Sequence, residues 1–121
     1  MKYDVAVIGG GASGLACAVR LTEKSKLKTV IIEAGERLGK KLSATGNGQG
    51  NISNTDLSPD HYFGGGANLA RRFACNNPQI YAELFDCIFT ADAQGRIYPA
   101  GRQASSLTDC LIRKLNGKAD I

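Results

Sequence analysis

Gly9, Gly11 and Gly14 stand in the spacing G-x-G-x-x-G, and an acid, Glu33, follows Gly14 at about the 20-residue offset of a dinucleotide-binding unit. These residue types hold a ligand; they do not break bonds. Gly9 lets the chain turn sharply off a strand. Gly11 has no Cβ, so a pyrophosphate can come close to the backbone, and Gly14 lets the next helix pack tightly on the strand. A helix beginning near Ala12 offers unpaired N–H groups and a positive end of about half a unit charge, where a diphosphate belongs. The Glu33 carboxylate can accept hydrogen bonds from ribose hydroxyls and repels a 2′-phosphate. The first nucleotide therefore reads as FAD or NAD and not NADP. The bland alternatives are a βαβ turn that binds nothing and a solvated acid at a strand end.

The elements that must position these residues are contiguous with them. Val5-Ala6-Val7-Ile8 is an apolar run suited to a strand buried on both faces. It meets the glycine turn directly, and Leu15, Ala18, Val19 and Leu21 then form one helical stripe. The first strand is expected near Tyr3–Ile8, and the helix decays through Thr22–Lys26. A second strand, near Lys28–Glu33, carries the acid at its end. This is the start of a Rossmann-like α/β fold, a βαβ unit on a parallel sheet.

The totals describe an ordinary globular domain: 121 residues, 43% hydrophobic and 21% charged. The net charge of +4 is small and scattered, which argues against nucleic acid as a partner and suits a polyanionic cofactor. Cys17, Cys75, Cys87 and Cys110 have no zinc-like spacing, and His61 is the only histidine, so no metal site is expected. No apolar stretch approaches about 20 residues, and the N-terminus runs straight into a strand without a signal peptide. Free, scattered thiols and no export signal lead to the expectation of a cytoplasmic protein away from membranes.

Residues 34–61 show little apolar periodicity. Leu38–Leu42 could make one helical turn, and 43–54 are small, polar and glycine-rich. Gly46, Gly48 and Gly50 permit positive φ and could expose successive N–H groups to a ligand; a flexible linker is the equal alternative. Ala67–Cys75 and Gln79–Cys87 read as short helices, with Pro78 suited to a first helical turn. Ile88–Thr90 and Arg96–Tyr98 read as strands joined by a turn at Asp92–Gly95. Ser105 or Ser106 could cap a helix with Leu107, Leu111, Ile112 and Leu115 on one stripe, stopped by Gly117. Lys118–Ile121 begins another strand.

The motif Gly39-Lys40-Lys41-Leu42-x-x-Thr45-Gly46-Asn47-Gly48-x-x-Asn51-x-Ser53-Asn54 resembles that of the YhiN/BaiN-type flavoproteins. These are the NAD(P)/FAD-dependent oxidoreductases also called the HI0933-like or aminoacetone-oxidase-like family. Gly95-Arg96-Ile97-Tyr98-Pro99 followed by Ala104-Ser105-Ser106 resembles that family's second signature. The resemblance implies that Gly9, Gly11, Ala12, Ser13 and Gly14 hold the FAD pyrophosphate. Glu33, with Ala34 beside it, would take the adenosine ribose. Lys41, Thr45, Gly46, Asn47 and Gly48 would line the cofactor toward ribityl and flavin. NAD(P)H would be the electron donor and a small molecule the substrate. Gln49-Gly50 stand where members often carry Arg-Cys, so roles of those two residues do not transfer.

Family members continue well beyond this length. The expectation is therefore the N-terminal part of a single FAD-binding domain, incomplete at its C-terminus. It would comprise a βαβ unit (1–36), a cofactor loop (37–61), and helices with a β-ribbon leading to a truncated third strand (62–121). Only the first two strands would be complete, leaving a two-strand sheet with both edges open. The rival readings are an NAD-binding dehydrogenase domain and a truncated non-catalytic remnant. No catalytic acid or base stands out. Residues 35–50 hold no cysteine, which excludes thiol–disulfide chemistry there. Cys17 reads as a packing residue and His61 as a surface histidine. Arg96 and Tyr98 either face a substrate or pack a strand end.

Overall fold

The computed structural model describes residues 2–73 and 78–121. In chain order the elements are β1 (Val5–Ile8), α1 (Ala12–Lys24), β2 (Thr29–Ile32), β3 (Ser53–Asn54), α2 (Ala67–Phe73), α3 (Pro78–Phe85), β4 (Phe89–Ala91), β5 (Arg96–Pro99), α4 (Ala104–Leu115) and β6 (Ala119–Asp120). Single 3₁₀ turns occupy Leu42–Ala44 and Pro59–His61. Cys75, and the end of the helix expected to reach it, lie outside the described residues.

β1 and β2 pair in parallel, Val5 opposite Thr29 through Ile8 opposite Ile32, with α1 as the crossover. β6 lies parallel on the far side of β2, giving the order β1-β2-β6. The first three strands of a doubly wound sheet take this arrangement. The expected two-strand sheet is thus corrected. Gly117, at φ +70°, ends α4 and turns the chain back along β2.

One stripe of α1 (Leu15, Ala18, Val19) and one of α4 (Leu107, Leu111, Leu115) meet on Ile31, with Leu42 and Phe85 closing the cluster. Each buried leucine contributes about 1.5–3 kcal/mol. Leu21 and Ile112, expected on these stripes, are only partly buried. Lys114 of α4 pairs with Asp86 at 3.0 Å and Glu23 at 3.5 Å, tying three helical segments together. The Phe85 and Tyr81 rings meet Phe89 edge-on at 6.0 and 6.1 Å, which seats α3 on β4.

The strands are not buried on both faces as their composition led one to expect. Val5, Val7, Thr29 and Ile31 point toward the helices, while Ala6, Ile8, Val30 and Ile32 share the opposite face. Ile8 is 77% and Ile32 52% exposed. The apolar run is that of a doubly covered strand, but the described residues put helices on one side only.

The second sheet, β3-β5-β4, is antiparallel. Its hairpin closes where Gly95 N–H donates to the Asp92 carbonyl at 2.9 Å, as the turn signal implied. β3 emerges from the glycine-rich segment and had no strand signature of its own. It forms because Ser53 and Asn54 lie against Ile97 and Arg96. The 39–55 stretch is therefore fastened by backbone hydrogen bonds and by pairing with β5, and is not a free linker. Gln103, not Ser105 or Ser106, occupies the α4 N-cap, and no side chain caps it. Ser106 lies inside the first turn and donates to the Gln103 carbonyl at 2.6 Å. Among the described residues no helix is long and apolar enough to cross a membrane.

Candidate nucleotide-binding site

The glycine turn forms where β1 runs out beside β2. Gly9 N–H donates to the Ile32 carbonyl at 2.8 Å, and Gly9 then takes φ +93°, a region other residues avoid. Gly14 sits directly beneath this turn: a Cβ there would lie 1.9 Å from the Gly9 carbonyl oxygen. Gly11 is the opposite case. It is exposed, its backbone is extended (φ −78°, ψ −172°), and a Cβ on it would meet nothing within 4 Å. The space over Gly11 is open to a ligand. The α1 N-terminus beside it has no side-chain cap and no acid in its own first turn, so its leading N–H groups are not taken up from within the helix. Ala12 and Ser13, the first helical residues, are both exposed there.

Gly10 went unassigned in the sequence, although the unbroken Gly9-Gly10-Gly11 run was a signal for it. Its N–H donates to Glu33 Oε2 at 2.6 Å, and its carbonyl accepts from Gly39 N–H at 2.7 Å. A Cβ on Gly10 would lie 2.1 Å from the Leu38 side chain. Gly10 thus fastens the end of β2 and the 38–41 turn to the glycine turn.

Glu33 is no free strand-end acid. Oε1 accepts from Gly35 N–H at 2.7 Å while Oε2 takes Gly10 N–H. These bonds, Gly35 first and then Gly10, hold its pKa below the usual carboxylate value. A carboxylate has about four lone-pair sites, so each oxygen keeps capacity for a hydroxyl donor. Because the folded pKa is depressed, Glu33 contributes stability above the ordinary carboxylate pKa and loses it as pH falls through the folded value. Glu33→Gln is expected to lower the thermal midpoint at neutral pH and to shrink the gap from wild type in acid. Parallel melting curves across the acid range check this; a constant gap would show that the charge of Glu33 does not matter to the turn.

Gly10, Gly11, Glu33 and Gly35 line a 290 Å³ cleft whose other wall carries Arg37, Lys40 and Lys41. The three cations suit a polyanion; Lys41, expected farther along the cofactor toward ribityl and flavin, lines this cleft with Gly11 and Glu33 and not the one at Gly46 and Asn47. Ala34 is exposed next to Glu33. Arg37 and Lys40 were not singled out in the sequence; they lie on the same turn as Gly39 and Lys41.

Gly46 and Asn47 line a separate cleft of 580 Å³ with Arg96, Tyr98 and Arg102. Gly46, Gly48 and Gly50 all take positive φ, as expected. Their neighbourhood does not present a row of free N–H groups, however. Gly48, Gln49 and Gly50 N–H close the loop on Ala44, Gly46 and Thr45 carbonyls. Thr45 Oγ1 donates to the Leu42 carbonyl at 2.8 Å, and Gly48 offers its own carbonyl to Ala104 N–H at 2.7 Å. Thr45 and Gly48 therefore shape this loop from within.

Cys17 is exposed on α1 and does not pack in the core, a correction to its expected role. Its position falls outside the Leu15–Ala18–Val19 stripe. His61 is a surface residue whose Nε2 lies 2.9 Å from Asp56 Oδ2, and this contact first of all lowers the Asp56 pKa to about 2.

The sequence profile of the HI0933-like protein Rossmann domain matches residues 3–119. The chain is similar to the 3-dehydro-bile acid delta(4,6)-reductase of Clostridium scindens, 33% identical over 117 residues that cover 92% of this chain and 28% of the reductase. It is also similar to the ribosomal RNA dihydrouridine synthase of Haemophilus influenzae, 39% identical over 57 residues, covering 47% of this chain and 14% of the synthase. Among solved structures, Thermovibrio ammonificans THI4 superposes with a TM-score of 0.65 at 18% identity, over 98% of this chain and 37% of THI4, a likeness of fold.

Proposed function

The chain belongs to the HI0933-like Rossmann-domain family, and on that footing we propose that it is the FAD-binding portion of a flavin-dependent oxidoreductase, with a small-molecule substrate and NAD(P)H as electron donor. Residues 1–121 would form the first part of one FAD-binding domain. This rests on the shares of relatives that the chain spans, 28% of one and 14% of the other.

The observation that carries the reading is the pairing of open space over Gly11 with a rigid, ionised Glu33 across one cleft. The residues fit the group. The α1 N-terminus with Gly11 would receive the pyrophosphate, Lys41 would balance its charge, and Glu33 would accept the ribose hydroxyls. FAD, once bound, supplies the two-electron chemistry. The chain's own contribution is to bind the adenosine diphosphate half and aim the cofactor toward Gly46 and Asn47.

The test is the visible spectrum of the full-length protein as purified and after incubation with FAD. A yellow protein retaining FAD through gel filtration supports the reading. A colourless one that takes up NADH but not FAD would replace it with a nicotinamide domain.

A further inference from the structure

The geometry points to a second anion site, separate from the diphosphate cleft: the 580 Å³ cleft at Arg102 binds an oxyanion, a carboxylate or phosphate, carried by the substrate. The inference rests on the flavin reading, because Gly46 and Asn47 of the expected flavin-side loop form one wall.

Arg102 is built into place. Its guanidinium carbon lies 4.3 Å from the centroid of the Tyr98 ring, and Tyr98 is only 5% exposed, so the stacking platform is anchored. Nη1 donates to Gln49 Oε1 at 3.1 Å. One of five N–H donors is thereby used, and the planar fork retains four for a bidentate oxyanion. Arg96, the other guanidinium on this wall, is held by Asp92 at 2.7 Å. Among the described residues Arg102 has no carboxylate partner, and none lines the cleft. The α4 N-terminus begins just after Arg102, without an acid in its first turn.

The backbone argues that the cation itself is wanted. Arg102 takes φ +51° and Asn47 +53°, two of the three non-glycine residues in the left-handed region among those described. Glycine would hold the 102 turn with less strain. The turn is fastened by Arg102 N–H to the Pro99 carbonyl and Ala104 N–H to the Gly48 carbonyl, neither of which needs a side chain. Position 102 thus carries a strained arginine where only its guanidinium distinguishes it from a better turn residue.

Arg102→Gly and Arg102→Lys test this in the full-length protein, with succinate and inorganic phosphate as probes at constant ionic strength. The readout is the thermal midpoint by far-UV circular dichroism, with bound FAD measured separately by absorbance. In wild type at least one probe raises the midpoint beyond an equal charge of chloride, and which one identifies the oxyanion. Arg102→Gly is expected to fold at least as well without probe and to need at least tenfold more probe for the same shift. Arg102→Lys keeps part of the response. Equal responses in wild type and Arg102→Gly, or no response beyond chloride, would overturn the site. Failure of FAD to bind the wild type strikes at the flavin reading and leaves the probe titration to decide the oxyanion site independently.

Discussion

Gly11→Val is expected to lower FAD affinity of the full-length protein at least 100-fold, about 2.8 kcal/mol, while the fold survives. The two halves of this expectation come from different observations. Valine suits the extended backbone at position 11, and its Cβ would meet nothing within 4 Å, so the folded protein accommodates it. The cost to the α1 N-cap is about 1 kcal/mol. The same branched side chain then fills the space through which, on the proposed function, a pyrophosphate would reach the helix N-terminus. Gly14→Val is the control with the opposite signature. Its Cβ would fall 1.9 Å from the Gly9 carbonyl, a backbone atom that cannot swing aside, so the turn itself must distort. Flavin titration and thermal melting of both variants separate loss of binding from loss of structure. Undiminished FAD retention in Gly11→Val would remove the diphosphate from this turn.

The 121-residue chain, expressed alone, is expected to self-associate and to purify colourless. Ile8 and Ile32 sit opposite each other on the uncovered face of the sheet, 77% and 52% exposed. Among the described residues β1 has β2 on one edge and no strand on the other, an invitation to further pairing. A contiguous apolar patch of this kind drives association. At about 100 μM, within the range where exposed strands aggregate, sedimentation should show oligomers. The double change Ile8→Thr, Ile32→Thr keeps β-branched residues in both strands and removes most of the apolar surface, so the monomer fraction should rise several-fold with the circular dichroism unchanged. The lack of colour follows from the proposed binding site: the described cleft would hold only one side of a dinucleotide, and a flavin ring left in solvent adds little affinity. A yellow, monomeric chain that melts cooperatively would mean that these residues suffice for a flavin domain.

The glycine turn, α1 and the acid at the end of β2 were legible in the sequence because each rests on contacts within one βαβ unit. Val5–Ile8, the Leu15–Ala18–Val19 stripe and Glu33 lie at separations that strand and helix geometry dictate, and their positions hold to within two residues at the strand ends. Other features were decided only by the tertiary structure. β3 owes its existence to β5, about 40 residues away in the chain, so no local pattern could announce it. Glu33 became a brace as well as a candidate ribose ligand because Gly10 and Gly35 bring N–H groups to both its oxygens. The loop at Gly46–Gly50 turned the N–H groups of Gly48, Gln49 and Gly50 inward because the Ala44, Gly46 and Thr45 carbonyls were the nearest partners, while the Gly48 carbonyl took the Ala104 N–H. Arg102 shows the limit most clearly. In the sequence it is one of fifteen cations. Only the folding of α4 against the 42–50 segment sets it on Tyr98 beside Gln49, because the stacking and the shared hydrogen bond join residues with no periodic relation to one another.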